Sequence, residues 1–78
     1  MTQPVPAAVP VHVSLSVNGE HRTLPAGTAL DTLVAALTTA PSGVAAAVNE
    51  AVVPRGQWSA TVLADGDRVE ILTAVQGG

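Results

Sequence analysis

Residues 11–18, VHVSLSVN, alternate apolar and polar side chains without a break and run directly into Gly19. A period of two belongs to a strand with one face on a core and the other in solvent. Val11, Val13, Leu15 and Val17 then share the core face, and His12, Ser14, Ser16 and Asn18 the outer one. Asn18-Gly19 is a hairpin signal, because both residues tolerate positive φ. The pattern predicts a return strand over residues 20–24. A chain that opens this way must supply a cover for one apolar sheet face.

The next segment supplies it. Pro25-Ala26-Gly27 ends the hairpin, and Thr28 is placed as an N-cap with Asp31 three residues on, a short relative of the capping box. Asp31 also suits the positive end of the helix dipole. Leu30, Leu33, Val34 and Leu37 recur at helical spacing and define one buried stripe. The helix is expected to stop near residues 38–40, before Pro41-Ser42-Gly43. Residues 44–49, VAAAVN, read as a third strand, since Gly43, Asn49 and the short length outweigh alanine's helix propensity. Residues 51–58 are predicted irregular around Pro54-Arg55, and residues 59–63 a short strand or turn. Asp65-Gly66-Asp67 is a turn, with Asx bonding by its aspartates. Residues 68–75 form the last strand, with Val69, Ile71, Thr73 and Val75 on one face and Glu70 and Leu72 on the other.

The expected fold is α+β, a mixed sheet of four to five strands packed on one main helix. With the first hairpin and the last strand meeting mid-sheet, that is the β-grasp (ubiquitin-like) arrangement; the pattern alone leaves it one of several small α+β folds. The expected domain spans residues 11–75. Residues 1–10, with three prolines and no periodicity, read as a disordered arm, and residues 76–78 as a flexible tail.

Composition removes most function classes. A chain of 78 residues makes one domain with little room for an enclosed active site. There is one Trp and no Phe or Tyr, so the core must be aliphatic. The absence of Cys excludes disulfides, zinc–thiolate sites and a cysteine nucleophile. Arg22, Arg55 and Arg68 are the only bases besides two histidines, and the net charge is −3, so there is no basic stripe for nucleic acid. No apolar run approaches the ~18 residues of a membrane span, and there is no secretory signal, so a cytoplasmic protein is expected. His12 and His21 read as surface histidines with no third metal ligand in plausible spacing. Ser14, Ser16, Ser42 and Ser59 lack a nucleophile elbow, Asp65 and Asp67 lack the remaining ligands of a calcium loop, and no glycine-rich loop cradles phosphate. An independent enzyme is not expected, and no metal or bound cofactor is called for.

The chain ends in Gly77-Gly78. A terminal carboxylate reacts with nucleophiles only after one oxygen is made a leaving group, as in an acyl-adenylate. Glycines without Cβ let a backbone lie extended in the narrow entrance of an activating enzyme.

Four segments together resemble one family. Val17-Asn18-Gly19-Glu20, then Ala47-Val48-Asn49-Glu50 with Val53-Pro54-Arg55 and Gln57-Trp58, then residues 65–71 (DGDRVEI), and finally Gly77-Gly78 are similar to the thiamine-biosynthesis sulfur carriers, the ThiS family. The resemblance covers residues from about 13 to 78. It implies that the Gly78 carboxylate is adenylated by an E1-like adenylyltransferase (ThiF type) using ATP and magnesium. A sulfur donor such as a cysteine desulfurase then converts it to a thiocarboxylate, and the sulfur passes to thiazole synthase (ThiG type). Gln76 and Gly77 would thread into the partner. Leu72, an apolar residue on an open sheet face, and Ala74 beside it are candidate docking residues. Arg55 is a third, or pairs with Glu50. Trp58 reads as a core lid in preference to a partner contact. A carrier for molybdopterin or another sulfur-containing product shares fold and tail, but Thr73-Ala74-Val75-Gln76 lacks the aromatic, proline-rich approach of those carriers. A ubiquitin-like modifier would use the same tail, although without Lys this chain cannot form lysine-linked polymers on itself. A plain interaction module is the remaining alternative.

Overall fold

The computed structural model describes residues 11–39 and 42–74. The alternating segment forms β1 (His12–Val17), the tight turn follows, and β2 (Glu20–Pro25) returns antiparallel. Asn18 and Gly19 have φ of 51° and 84°, which gives the reversal the right-handed twist of the strands it joins. Next come α1 (Leu30–Leu37), β3 (Val44–Val48), β4 (Ala51–Val53), a 3-10 helix (Arg55–Ala60) and β5 (Arg68–Thr73). The sheet order is β2-β1-β5-β3-β4, with β1 and β5 parallel at its centre and every other pair antiparallel.

The core lies between α1 and one sheet face. Val13, Leu15, Val17, Val69, Ile71 and Ala46 come from the sheet, Leu30, Leu33 and Val34 from the helix, and Trp58 and Leu63 close it. Val11 departs from the expected pattern: it precedes β1 and is exposed, although its carbonyl accepts the Ala26 amide. Thr73 is also exposed, because the core ends one step earlier along β5 at Ile71.

Two local expectations are corrected. Thr28 does not cap the helix. Its hydroxyl donates to the Pro25 carbonyl, the N-cap is Ala29, and no side chain caps the end. The Leu30 amide instead donates to the Thr61 carbonyl at 2.8 Å, beside an isolated bridge between Ala29 and Val62. A neighbouring backbone thus satisfies a helix-end amide that sequence reasoning assigned to a side chain. Residues 51–58 are not irregular. Asn49 and Glu50 both have positive φ (52° and 72°), so β3 turns tightly into β4, and the 3-10 helix follows Pro54.

Both turn asparagines also grip β5. Asn18 accepts from the Ile71 amide through Oδ1 at 2.8 Å and donates from Nδ2 to the Ile71 carbonyl at 3.1 Å. Its side chain continues the β1–β5 ladder after the main chain has turned away. On the other flank, Asn49 Oδ1 accepts the Arg68 amide and Asn49 Nδ2 donates to Asp67. The central strand is thereby fixed in register along most of its length.

Candidate functional site

β5 points the chain out of the middle of the sheet. At its end the Ala74 amide donates to the Gly43 carbonyl at 2.6 Å. Gly43 has φ +73°, and a Cβ there would lie 3.1 Å from the Ala74 Cβ. Any other residue would be strained in this left-handed conformation and would push against Ala74. Gly43→Val is expected to lower stability by about 1–2 kcal/mol and release the Ala74 contact. Urea melts and exchange of the Ala74 amide would measure this; unchanged protection of that amide would contradict it.

Beside this exit lies the open sheet face. Leu72 is 68% exposed and Val52 77%. Leu72 is the register partner of Ala45, Glu70 of Ala47, and Ala47 of Val52. These side chains border one shallow depression, in which small alanines leave Leu72 standing clear of its neighbours. The face combines an apolar anchor with little surrounding bulk, which suits a flat protein contact. Leu72 was legible in the sequence. Val52 was not, because three residues beside a proline give too short an alternation to identify a strand.

Arg55 belongs to a different surface. It starts the 3-10 helix and lies over the Trp58 ring, 5.2 Å from its centroid, in a groove whose other wall is α1. It does not pair with Glu50, which instead binds Arg68 at 2.9 Å. The structure therefore brings Leu72 and Ala74 together near the exit of β5 and leaves Arg55 on the helix side of the sheet. Trp58 is buried and donates Nε1–H to the Val53 carbonyl at 2.8 Å, consistent with its core-lid role. Gln76, Gly77 and Gly78, like the arm at residues 1–10, lie outside the described residues.

His12 and His21 are exposed, and no cluster of three metal-ligating side chains exists among the described residues. Asp65 accepts the Ser14 amide and Asp67 the Ala64 amide, so both hold the turn before β5. No helix among the described residues is long and apolar enough to cross a membrane.

A mixed sheet wrapped on one helix, with a parallel central pair and the chain leaving from the central strand, defines a ubiquitin-like β-grasp protein. The model of the ThiS family matches residues 15–78, and the chain belongs to that family. It is 34% identical over 53 residues to the sulfur carrier protein ThiS of Escherichia coli, covering 68% of this chain and 80% of that one. It is 39% identical over 66 residues to a thiazole synthase of Magnetococcus marinus; the match takes in 85% of this chain but only 20% of that protein. A crystal structure of the thiamine biosynthesis protein ThiS from Geobacter metallireducens superposes with a TM-score of 0.69 at 33% identity, covering 85% of this chain and all of that one.

Proposed function

We propose that this protein is a sulfur carrier for thiamine (thiazole) biosynthesis, a cosubstrate of partner enzymes in the cytoplasm that performs no catalysis itself. The observation that carries this is the family match, which spans residue 15 in β1 to Gly78 and so reaches Gly77-Gly78 as well as the sheet. An adenylyltransferase uses ATP and magnesium to join the Gly78 carboxylate to AMP, releasing pyrophosphate. The persulfide of a sulfur donor then displaces AMP to give an acyl disulfide, and a thiol cleaves its S–S bond, itself becoming a disulfide, to leave a thiocarboxylate, a soft nucleophile that stays attached to its carrier. Gln76 and Gly77 form the lead into the enzyme, where absent Cβ atoms allow close approach. A thiazole synthase is the proposed acceptor. In support, one relative with that name carries a stretch like this chain, covalently joined to the rest of the enzyme.

Leu72 and Ala74 are the proposed docking residues. Leu72→Arg is expected to weaken binding to the adenylyltransferase about thirtyfold or more, the effect of losing a central interface anchor. Titration calorimetry would measure it, and an unchanged affinity would remove the open face from the interface.

The functional test is intact-protein mass spectrometry after incubation with adenylyltransferase, ATP, magnesium and a sulfur donor. The expected product has one oxygen of Gly78 replaced by sulfur. Adenylation followed only by attachment to lysines of other proteins would instead make the chain a modifier.

A further inference from the structure

Arg22 lies 3.9 Å from Glu20 and Arg68 lies 2.9 Å from Glu50. Arg55 is different: it lies over the face of Trp58. All six acidic side chains fall among the described residues, and none is within ion-pair distance of Arg55. The undescribed stretches contain no Asp or Glu. Asp31 shares the groove, but its Oδ1 accepts the Thr32 amide at 2.8 Å. Arg55 is thus an exposed cation stacked on a buried ring, with no ion-pair partner among the described residues. Stacking restricts the guanidinium while leaving its N–H fork directed at the surroundings.

Its position matters as much as its state. Val53 is the partner of Ala46, and β4 runs antiparallel to β3, so Arg55 follows toward the pole where β3 begins. That is the pole where Val44 meets Thr73 and Gly43 holds Ala74. The groove under Arg55 includes Thr39, the last described residue before the link to β3. Arg55 therefore stands on the helix side of the end from which the tail departs, whereas Leu72 marks the sheet side of the same end.

We infer that Arg55 is a second docking anchor, binding an Asp or Glu side chain of the protein that receives the tail. Together with Leu72 it grips the exit from both sides, so that the tail is aimed before it enters. A planar fork on a carboxylate gives direction as well as attraction. The anchor presupposes the carrier function proposed above.

The test is titration of the adenylyltransferase with the full chain and its variants at low and high salt. Arg55→Glu is expected to weaken binding about ten- to a hundredfold, and Arg55→Gln somewhat less. Arg55→Lys should retain part of the affinity, keeping the charge but losing the fork. High salt should narrow the gap between the wild-type chain and Arg55→Glu. The same losses must appear in a chain lacking Gly78. If Arg55→Glu weakens binding only when Gly78 is present, Arg55 serves the chain's own carboxylate and the inference is overturned. A matching loss from Asp31→Asn would overturn it too, by making the pair intramolecular. Unchanged binding of the Arg55 variants, with normal sulfur loading of Gly78, removes the anchor and leaves the carrier function standing. A wild-type chain that neither binds nor is loaded removes both. Equal thermal midpoints across the variants establish that the losses are not unfolding.

Discussion

Deleting Gly78 is expected to abolish both adenylation and sulfur loading while leaving the domain folded. The two halves of this prediction have separate causes. In the proposed mechanism the terminal carboxylate must reach the α-phosphorus of ATP, and shortening the chain by one residue withdraws it by about 3.3 Å. Misplacement of a reacting group by about 1 Å already costs on the order of a hundredfold in rate, so a whole residue removes activity. Stability is a different matter. Among the described residues the buried core ends at Ile71, and the last backbone tie is Ala74 to Gly43. The expected measurement is no adenylate by intact mass and no ATP–pyrophosphate exchange, with a urea midpoint matching the full chain. Retained activation would end the role assigned to Gly78. Gly78→Ala distinguishes length from shape: the carboxylate stays in reach, but a Cβ enters the channel, so activity should fall without vanishing.

Trp58→Ala is expected to do the reverse, leaving the tail chemically intact and destroying the domain that presents it. Trp58 is the chain's one aromatic residue, and it closes a core otherwise made of aliphatic side chains. Truncating a buried Trp to Ala costs about 3–5 kcal/mol through lost burial and the cavity left behind. Removing the Nε1–H also takes the partner from the Val53 carbonyl, at the junction of β4 and the 3-10 helix. Domains are stable by only about 5–15 kcal/mol, and one of this size falls toward the lower end. The variant should therefore be largely unfolded, or melt far below the wild-type chain, by circular dichroism. Trp58→Phe keeps a ring but loses the hydrogen bond, and should remain folded with a loss of about 1–2 kcal/mol. If Trp58→Ala melts like wild type, the aliphatic core closes without its lid. Because Arg55 stacks on this ring, Trp58→Phe also offers a mild perturbation of the anchor in a folded chain.

The β1–β2 hairpin, the buried stripe of α1, β3 and β5 were all legible, because each carries a local signal: a period of two, a helical period, or a residue able to take positive φ. Leu72 was legible for the same reason, since alternation along β5 puts it on the face opposite Val69 and Ile71. What failed was decided between distant segments. Thr28 has the composition of an N-cap, but the backbone near Thr61 reaches the helix end first, and no local rule encodes that encounter. β4 is too short for periodicity to identify, and its existence depends on β3 lying beside it.

For the site, the division is similar. The sequence by itself determined which side chains are available: no Cys, no Lys, three Arg and two His, with Gly77-Gly78 as the last two residues given. It also determined that an amphipathic helix must cover one side of the sheet and leave Leu72 on the other. Only the tertiary structure decided how charges pair. Glu50 and Arg68 are 18 positions apart, and the β3–β5 pairing brings them into contact, leaving Arg55 to Trp58. Ion pairs depend on distance through space, which a chain fixes only once its strands have chosen neighbours. The same choice puts Gly43 against Ala74, and so sets the point from which the tail departs.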